Sequence, residues 1–217
     1  MNSTLIVIFS FSIAIGAIIG WIRFQKINPA YYPFLYFIWI GFLNEIISYI
    51  ITHKGYSSAI NNNIYVLAES LLIAWQFKNW GLFQRPKYLF IAILFSFAFF
   101  WIIEGFFVEG IKYAIPYFRI VYSFVIVLIS INMLNKQLVR ERKNILKNSI
   151  FLICIAFVIY FTYKVIIWSF WVYGLSLSKQ FMKNLSAIIS YINLLTNLTY
   201  TLAVLWMPTK HRFSLPS

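Results

Sequence analysis

The sequence predicts an all-α integral membrane protein, a polytopic bundle of seven transmembrane helices that forms a single domain over residues 1–217. Three observations predict this class. The chain is 62% hydrophobic and only 11% charged, with a mean hydropathy of +0.80, whereas soluble domains hold about 25% charged residues. Seven apolar runs approach or exceed the roughly 20 helical residues that cross a hydrocarbon core of ~30 Å. The basic residues cluster in alternate connections between these runs.

The predicted helices follow one another through short connections and cover residues 5–21, 31–51, 59–77, 88–108, 114–134, 148–173 and 184–207. Arg23 and Lys26 follow the first run and no basic residue precedes it. A cleaved signal peptide has the reverse pattern, so we expect this run to remain as a helix. The second run has Pro33 in its first turn, where proline is tolerated, and the third begins after a turn at residues 53–55.

The last four runs begin or end at residues that break helices or at strongly basic connections. The fifth starts beside Pro116, the most basic connection covers residues 136–147, and Pro208 closes the seventh. The fourth is rich in phenylalanine, and we expect much of it to face lipid. Its phenylalanines point in several directions: Phe95, Phe97, Phe99 and Phe100.

The basic residues are unevenly divided between the two ends of the predicted bundle. Twelve lie in the tail and in the connections after the first, third and fifth helices, and four lie in the other connections. The positive-inside rule therefore predicts an N-terminus outside and a C-terminus in the cytoplasm. The same rule accounts for the net charge of +13 without nucleic acid. The Ile, Phe, Asn, Lys and Tyr bias is typical of an AT-rich genome, so we expect a bacterial inner (plasma) membrane.

Five ionisable side chains lie within the predicted helices, where a charge costs about 2.5–3.5 kcal/mol on insertion scales and indicates a functional site by default. Glu69 and Lys164 lie ten and nine residues from the outer ends of their helices, and Asn193 lies nine residues from the start of its helix. At 1.5 Å per residue these three share one depth near the midplane. Glu45 and Arg119 lie nearer the outer boundary. Glu104 is expected at the interface rather than in the site.

These polar groups predict an outward-facing pocket with an aromatic rim and with Glu69 and Lys164 at its floor. Polar atoms in lipid need partners, so the polar stripes of the helices should face the bundle interior. The predicted ligand-binding residues are Glu69, Lys164, Asn193, Tyr65, Asn62, Arg119, Glu45, Tyr122 and Trp168.

Three alternatives for these side chains require no ligand. Glu69 could pair with Lys164, and Glu45 with Arg119, only to hold the helices together. Glu69 could be present in its neutral, protonated form. The long stem of Lys164 could also carry its ammonium to the outer interface.

Other kinds of site are not indicated. His53 and His211 are predicted on opposite sides of the membrane, so no two-histidine metal site is expected. The chain has no aspartate, which excludes a Ser-His-Asp triad and an aspartyl protease pair. The topology resembles that of the rhodopsins and seven-helix receptors. The seventh predicted helix lacks the lysine that microbial rhodopsins carry there, so neither retinal nor any other cofactor is expected.

The function predicted first is that of a small-ligand-binding or sensory, receptor-like membrane protein. The alternatives are a small-solute or ion-coupled transporter, which needs a polar path to the cytoplasm, and an intramembrane lipid-modifying enzyme using Glu69 as general acid or base near Lys164. An enzyme is the less expected class. The expected partners are the lipid bilayer, a small-molecule ligand and, because short connections leave little surface for signalling, a membrane partner protein. No nucleic acid is expected.

Overall fold

A computed structural model describes residues 3–83, 88–140, 145–173 and 179–210, and this part of the chain is all-helical apart from one isolated bridge between Ile27 and Thr209. Its α-helices are α1 (Ser3–Phe11), α2 (Ile13–Arg23), α3 (Tyr32–His53), α4 (Ala59–Asn79), α5 (Tyr88–Ile103), α6 (Pro116–Arg140), α7 (Ser149–Val172) and α8 (Lys179–Trp206). A π-helical turn, Glu104–Val108, extends α5. Parts of the predicted basic connections, the polar connection at 174–178 and the tail from His211 lie outside the described residues.

Five of the described helices are long and apolar enough to cross a membrane: Pro29–His53, Tyr88–Val108, Pro116–Val139, Ser149–Val172 and Ala187–Trp206. The all-α class and the presence of helices that can span a membrane are thereby confirmed. The count of seven spans and the orientation stay predictions. The first predicted helix is divided at Ser12 into α1 and α2. The third, α4, is long but carries four asparagines, a glutamate, a glutamine and a lysine.

The helices form a closed ring that surrounds the polar side chains. Going round it, α4 packs against α6, then α7, α8, α2 and α3, which returns to α4. Helix α5 lies outside the ring against α4 and α6, and only 17% of its apolar window is buried. As expected for a helix that faces lipid, Phe95 is on the outer surface and is 73% exposed. Phe97 is the exception, since it packs against Phe118 and Tyr122 of α6.

An aromatic cluster fills one end of the ring, where α3 and α7 begin and α4 and α8 end. Phe34, Phe37, Phe77, Phe157 and Tyr200 are buried, and their rings contact one another at centroid distances of 5.3 to 6.1 Å. Such pairs add to the stabilisation that burial of their apolar area provides. The cluster closes that end of the ring beneath the polar side chains, and by the predicted orientation it is the cytoplasmic end.

Hydrogen bonds between helices stabilise the same end of the ring. The buried amide of Gln76 accepts a hydrogen bond from the Phe34 nitrogen at 2.8 Å and donates to the Ala30 oxygen at 2.7 Å. The Arg23 guanidinium donates to main-chain carbonyls at the end of α8, including that of Met207. These carbonyls have no partner within the helix, so Arg23 fastens α2 to α8. Gln76 likewise joins the start of α3 to α4.

Candidate functional site

A buried ion pair lies at the centre of the ring. The Nζ atom of Lys164 is 2.8 Å from Oε2 of Glu69, and both side chains are almost fully buried. Lys164 also donates to the hydroxyl of Tyr122, which in turn donates to Oε2 of Glu69. The hydroxyl of Tyr65 donates to the other carboxylate oxygen, Oε1, at 3.2 Å. The pairing of Glu69 with Lys164 predicted from depth is therefore confirmed.

Helical spacing explains how three elements supply this cluster. Tyr65 and Glu69 are one turn apart on α4, and Tyr160 and Lys164 are one turn apart on α7, so each pair shares a helix face. Tyr122 comes from α6, which packs against both. The ammonium of Lys164 also lies 5.1 to 5.3 Å from the ring centroids of Tyr122, Tyr160 and Phe161. Cation–π attraction is strongest where water is excluded. The charge of Lys164 is therefore stabilised both by the carboxylate of Glu69 and by these rings.

A small polar cavity of about 50 Å³ adjoins Glu69. A buried water needs about 10–15 Å³ on a comparable measure and two to four polar partners, so the cavity has room for a few waters or one small ion. Its lining is drawn from six helices and is rich in oxygen atoms. The polar lining residues are Ser10, Glu45, Tyr65, Glu69, Tyr160, Asn193, Thr196, Asn197 and Tyr200.

Two residues of the lining, Tyr200 and Glu45, have polar atoms with few partners in the described chain. The hydroxyl of Tyr200 is buried and has no hydrogen-bond partner among the described residues. Glu45 hydrogen-bonds with Ser10, but within the described chain no lysine or arginine lies close enough to form an ion pair with it. Buried polar groups are nearly always satisfied by protein, water or ion. The hydroxyl of Tyr200 and the carboxylate of Glu45 are therefore free to make further hydrogen bonds at the cavity.

One of the alternatives above paired Glu45 with Arg119, but the structure does not contain this pair. The guanidinium of Arg119 donates to Oδ1 of Asn63 at 3.0 Å and lies 4.7 Å above the ring of Trp168. Trp168 lines a separate groove of about 540 Å³ with Tyr117 and neighbouring residues at the opposite end of the ring from the aromatic cluster. The predicted pocket is thus two separate spaces, a small cavity beside Glu45 and Glu69 and a larger groove beside Trp168.

Asn62 and Asn193, the remaining predicted site residues, lie in different places. Asn193 lines the small cavity. Asn62 belongs to a hydrogen-bonded group between α3 and α4, where its Oδ1 accepts from Asn44 at 3.3 Å and from Ser48 at 3.2 Å. Its amide nitrogen donates to Ser58 at 3.1 Å. Asn62 therefore joins two helices and makes no hydrogen bond with the ion pair.

Asn63, which the sequence analysis did not single out, is a fully buried junction. Its side-chain nitrogen donates to the carbonyls of Ile111 and Tyr113, and its Oδ1 accepts from Arg119. Its main-chain oxygen accepts from the indole of Trp101 at 2.8 Å. Three successive asparagines point in three directions around α4, about 100° apart. The three successive asparagines were a visible sequence feature, but the sequence does not tell which of them faces the interior.

Glu104 is buried within the protein, and its position at the membrane interface stays a prediction. One carboxylate oxygen accepts from the Tyr117 nitrogen at 2.8 Å and the other from the Phe118 nitrogen. These nitrogens belong to the first turn of α6, where main-chain donors have no partner within the helix. A carboxylate also interacts favourably with the helix dipole at that end. Glu104 therefore fixes the start of α6, the helix that supplies Arg119 and Tyr122.

No group of three or more histidine, cysteine, aspartate or glutamate side chains that could hold a metal ion occurs among the described residues. The cavity beside Glu45 has room for a few waters or one small ion, and Lys164, Tyr122 and Glu69 form a mutually hydrogen-bonded group beside it. Comparisons with protein-family models, curated proteins and solved structures found no match.

Proposed function

We propose that this chain is an integral membrane protein that binds a small cation in the cavity between Glu45 and Glu69, as a receptor-like ligand-binding protein of a bacterial inner membrane. One observation carries the proposal: Glu45 lines a small cavity rich in oxygen atoms, and none of the described lysines or arginines pairs with it. A carboxylate within the bilayer is costly without compensation. A bound cation would supply that compensation.

The charge balance of the cavity favours a cation over an anion. Lys164 already neutralises Glu69 at 2.8 Å, which leaves Glu45 as the unbalanced charge of the lining. The other polar groups are hydroxyls and amides, and hard cations prefer such oxygen ligands. Tyr200 offers a hydroxyl oxygen that no described group uses.

The volume of the cavity limits the ligand. Sites for organic molecules usually measure about 300–1,000 Å³, whereas this cavity measures about 50 Å³. A sugar or an amino acid does not fit, and a bare or partly hydrated monovalent cation does. The aromatic cluster of Phe34, Phe77 and Phe157 lies on the predicted cytoplasmic side, which supports binding from outside rather than free passage.

The test is the thermal stability of the purified protein in chlorides of Na⁺, Li⁺, K⁺ or N-methylglucamine at equal ionic strength. We expect one of the inorganic cations to raise the melting temperature by a few degrees, because a ligand at 100 times its Kd stabilises by about 2.7 kcal/mol. Glu45→Gln should abolish the difference. The matched control, Glu109→Gln, removes an exposed carboxylate outside the cavity and should keep it.

An absence of any cation dependence in the wild type would contradict the proposal. Native mass spectrometry of the wild type and of the Glu69→Gln variant tests whether a larger ligand is bound instead. An organic molecule retained by the wild type and lost in the variant would show that the site opens to admit a solute, and it would replace the cation as the ligand.

A second function, ion-coupled transport, is supported by the break between α1 and α2. The hydroxyl of Ser12 donates to the Phe9 oxygen at 2.5 Å and accepts from Asn197 at 2.9 Å. Ser10, Ile13 and Asn197 beside this break all line the cavity. Interrupted helices at the site are typical of secondary transporters.

Uptake of ²²Na⁺ by proteoliposomes separates the two functions. Exchange that Glu45→Gln abolishes and Glu109→Gln preserves would establish transport. Cation-dependent stability without exchange would favour the receptor-like protein. An intramembrane enzyme is the least supported alternative, because both oxygens of Glu69 already accept hydrogen bonds from Tyr65, Tyr122 and Lys164.

A further inference from the structure

A second candidate site lies at the predicted cytoplasmic end of the ring, remote from the cavity. It is an open groove of about 820 Å³ at the end of α2, beside α3 and the segment after α8. Its lining includes Lys26 and Lys210 together with the aromatic side chains of Trp21, Phe24 and Trp39. The groove therefore combines two positive charges with an aromatic wall.

Main-chain pairing brings the two lysines together. The nitrogen of Lys210 donates to the oxygen of Lys26 at 2.8 Å, next to the bridge between Ile27 and Thr209. Both lysines are exposed, and the lining of the groove contains no acidic residue. Arg23 does not add to this charge at the surface, because its guanidinium is bound to carbonyls of α8. The main chains of the two lysines are thus adjacent, the ammonium of Lys210 lies 5.4 Å from the ring centroid of Tyr32, and neither lysine pairs with an acidic side chain of the described chain.

In the aromatic wall, Trp39 is held by several contacts and Trp21 is exposed. The indole nitrogen of Trp39 donates to the Ala17 oxygen at 3.0 Å. The ring of Trp39 contacts Trp21 at 5.5 Å and Phe24 at 5.3 Å between centroids. Trp21 itself is 73% exposed. Tryptophan is enriched where hydrocarbon gives way to headgroups, so this edge marks the depth at which a lipid phosphate would lie.

We infer that this groove binds an anionic phospholipid, with its phosphate between Lys26 and Lys210 and the upper part of an acyl chain along Trp21. Basic residues just outside the hydrocarbon attract anionic headgroups, with about 1 kcal/mol, or roughly fivefold in affinity, for each lysine. The groove offers a lipid both parts of what it needs, cations at headgroup depth and an apolar wall directly below them.

The experiment uses native mass spectrometry of the detergent-purified protein with added phosphatidylglycerol or phosphatidylcholine. We expect phosphatidylglycerol to be retained in preference to phosphatidylcholine. The double variant Lys26→Gln/Lys210→Gln should lose at least about tenfold in apparent affinity for phosphatidylglycerol. The matched control is Lys78→Gln/Lys147→Gln, which removes two exposed lysines from the same end of the ring but outside the groove.

Three outcomes would overturn the inference. Equal loss in the control variant would reduce the effect to general surface charge. Equal retention of phosphatidylcholine would leave only apolar adsorption. Displacement of the lipid by millimolar glycerol phosphate, with no contribution from Trp21→Leu, would make the groove a site for a soluble phosphate. Cation-dependent stability should be unchanged in Lys26→Gln/Lys210→Gln, because the groove and the cavity share no residue.

Discussion

Glu69 and Lys164 each depend on the other for a charge balance that the bilayer cannot supply. Their charged atoms are 2.8 Å apart and both are sealed from solvent, with Tyr122 bonded to both. Taking two charges out of water is expensive, so such a pair contributes little net stability when intact. Removing one partner is different, since it leaves the other charge buried and alone.

We expect Glu69→Gln and Lys164→Met each to lower the free energy of unfolding by about 3–5 kcal/mol. The double variant should lose clearly less than the sum, because no unpaired charge remains. The stabilities of the wild type, the two single variants and the double variant form a double-mutant cycle. Each is measured by unfolding in mixed micelles with an increasing proportion of a denaturing detergent, and circular dichroism follows the loss of helix. Strictly additive losses would show that the two side chains do not act as a pair.

For the individual residues, the sequence correctly predicted Lys164 as the partner of Glu69. The alternative that paired Glu45 with Arg119 was wrong. Depth along a helix is readable from residue counting, and two groups at one depth on polar faces are forced together in lipid. The distance between Glu45 and Arg119 depends on which helices are neighbours. The burial of Asn63, and its hydrogen bond to Arg119, depends on the rotation of α4, which a run of three asparagines leaves undetermined.

Among the elements, α6 depends on a residue far from it in sequence. Its first free nitrogens, those of Tyr117 and Phe118, donate to the carboxylate of Glu104. We expect Glu104→Ala to destabilise the protein by about 1–2 kcal/mol, as for the loss of a helix cap. Glu104→Gln should lose less because one amide oxygen can still accept.

Chemical or thermal unfolding of the purified variants checks this prediction, with Glu109→Ala as the control. Glu109 is exposed, and its substitution should change stability by no more than about 0.5 kcal/mol. A loss in the control equal to that of Glu104→Ala would contradict the capping role.

The helices themselves follow the apolar runs closely, but the break at Ser12 does not. The first run contains neither proline nor a charge that would interrupt it. Ser12 is satisfied by Asn197 of α8, at the other end of the sequence, so the break is stabilised by a contact that no local pattern reports. The same holds for Glu104, because no capping residue stands immediately before Pro116.

For the whole molecule, the orientation in the membrane follows from the uneven basic residues. In a Cys154→Ser background, Lys54→Cys should react with a membrane-impermeant maleimide on intact cells. Lys147→Cys should react only after permeabilisation, because the positive-inside rule places it in the cytoplasm. Both positions are exposed. Reaction of both in intact cells would contradict an odd number of crossings between them.

The arrangement of the ring was the least predictable feature of the molecule. Phenylalanines at several angles correctly indicated that α5 faces outward, since its window is only 17% buried. Hydropathy reports how apolar a helix is and not which neighbour it meets. The contact of α8 with α2, which closes the ring, therefore had no counterpart in the sequence analysis, and neither did the division of the predicted pocket into two spaces.

The closure of the ring by α8 has a consequence for how the molecule is made. Asn193, Thr196, Asn197 and Tyr200 of α8 form one wall of the cavity. A nascent chain that has inserted only α1 to α7 therefore lacks this wall, and the Glu45 side of the cavity is exposed to its surroundings. The cavity is completed when α8 packs into the ring and the segment after it forms hydrogen bonds with residues 26–28. The proposed binding site therefore depends on the placement of α8.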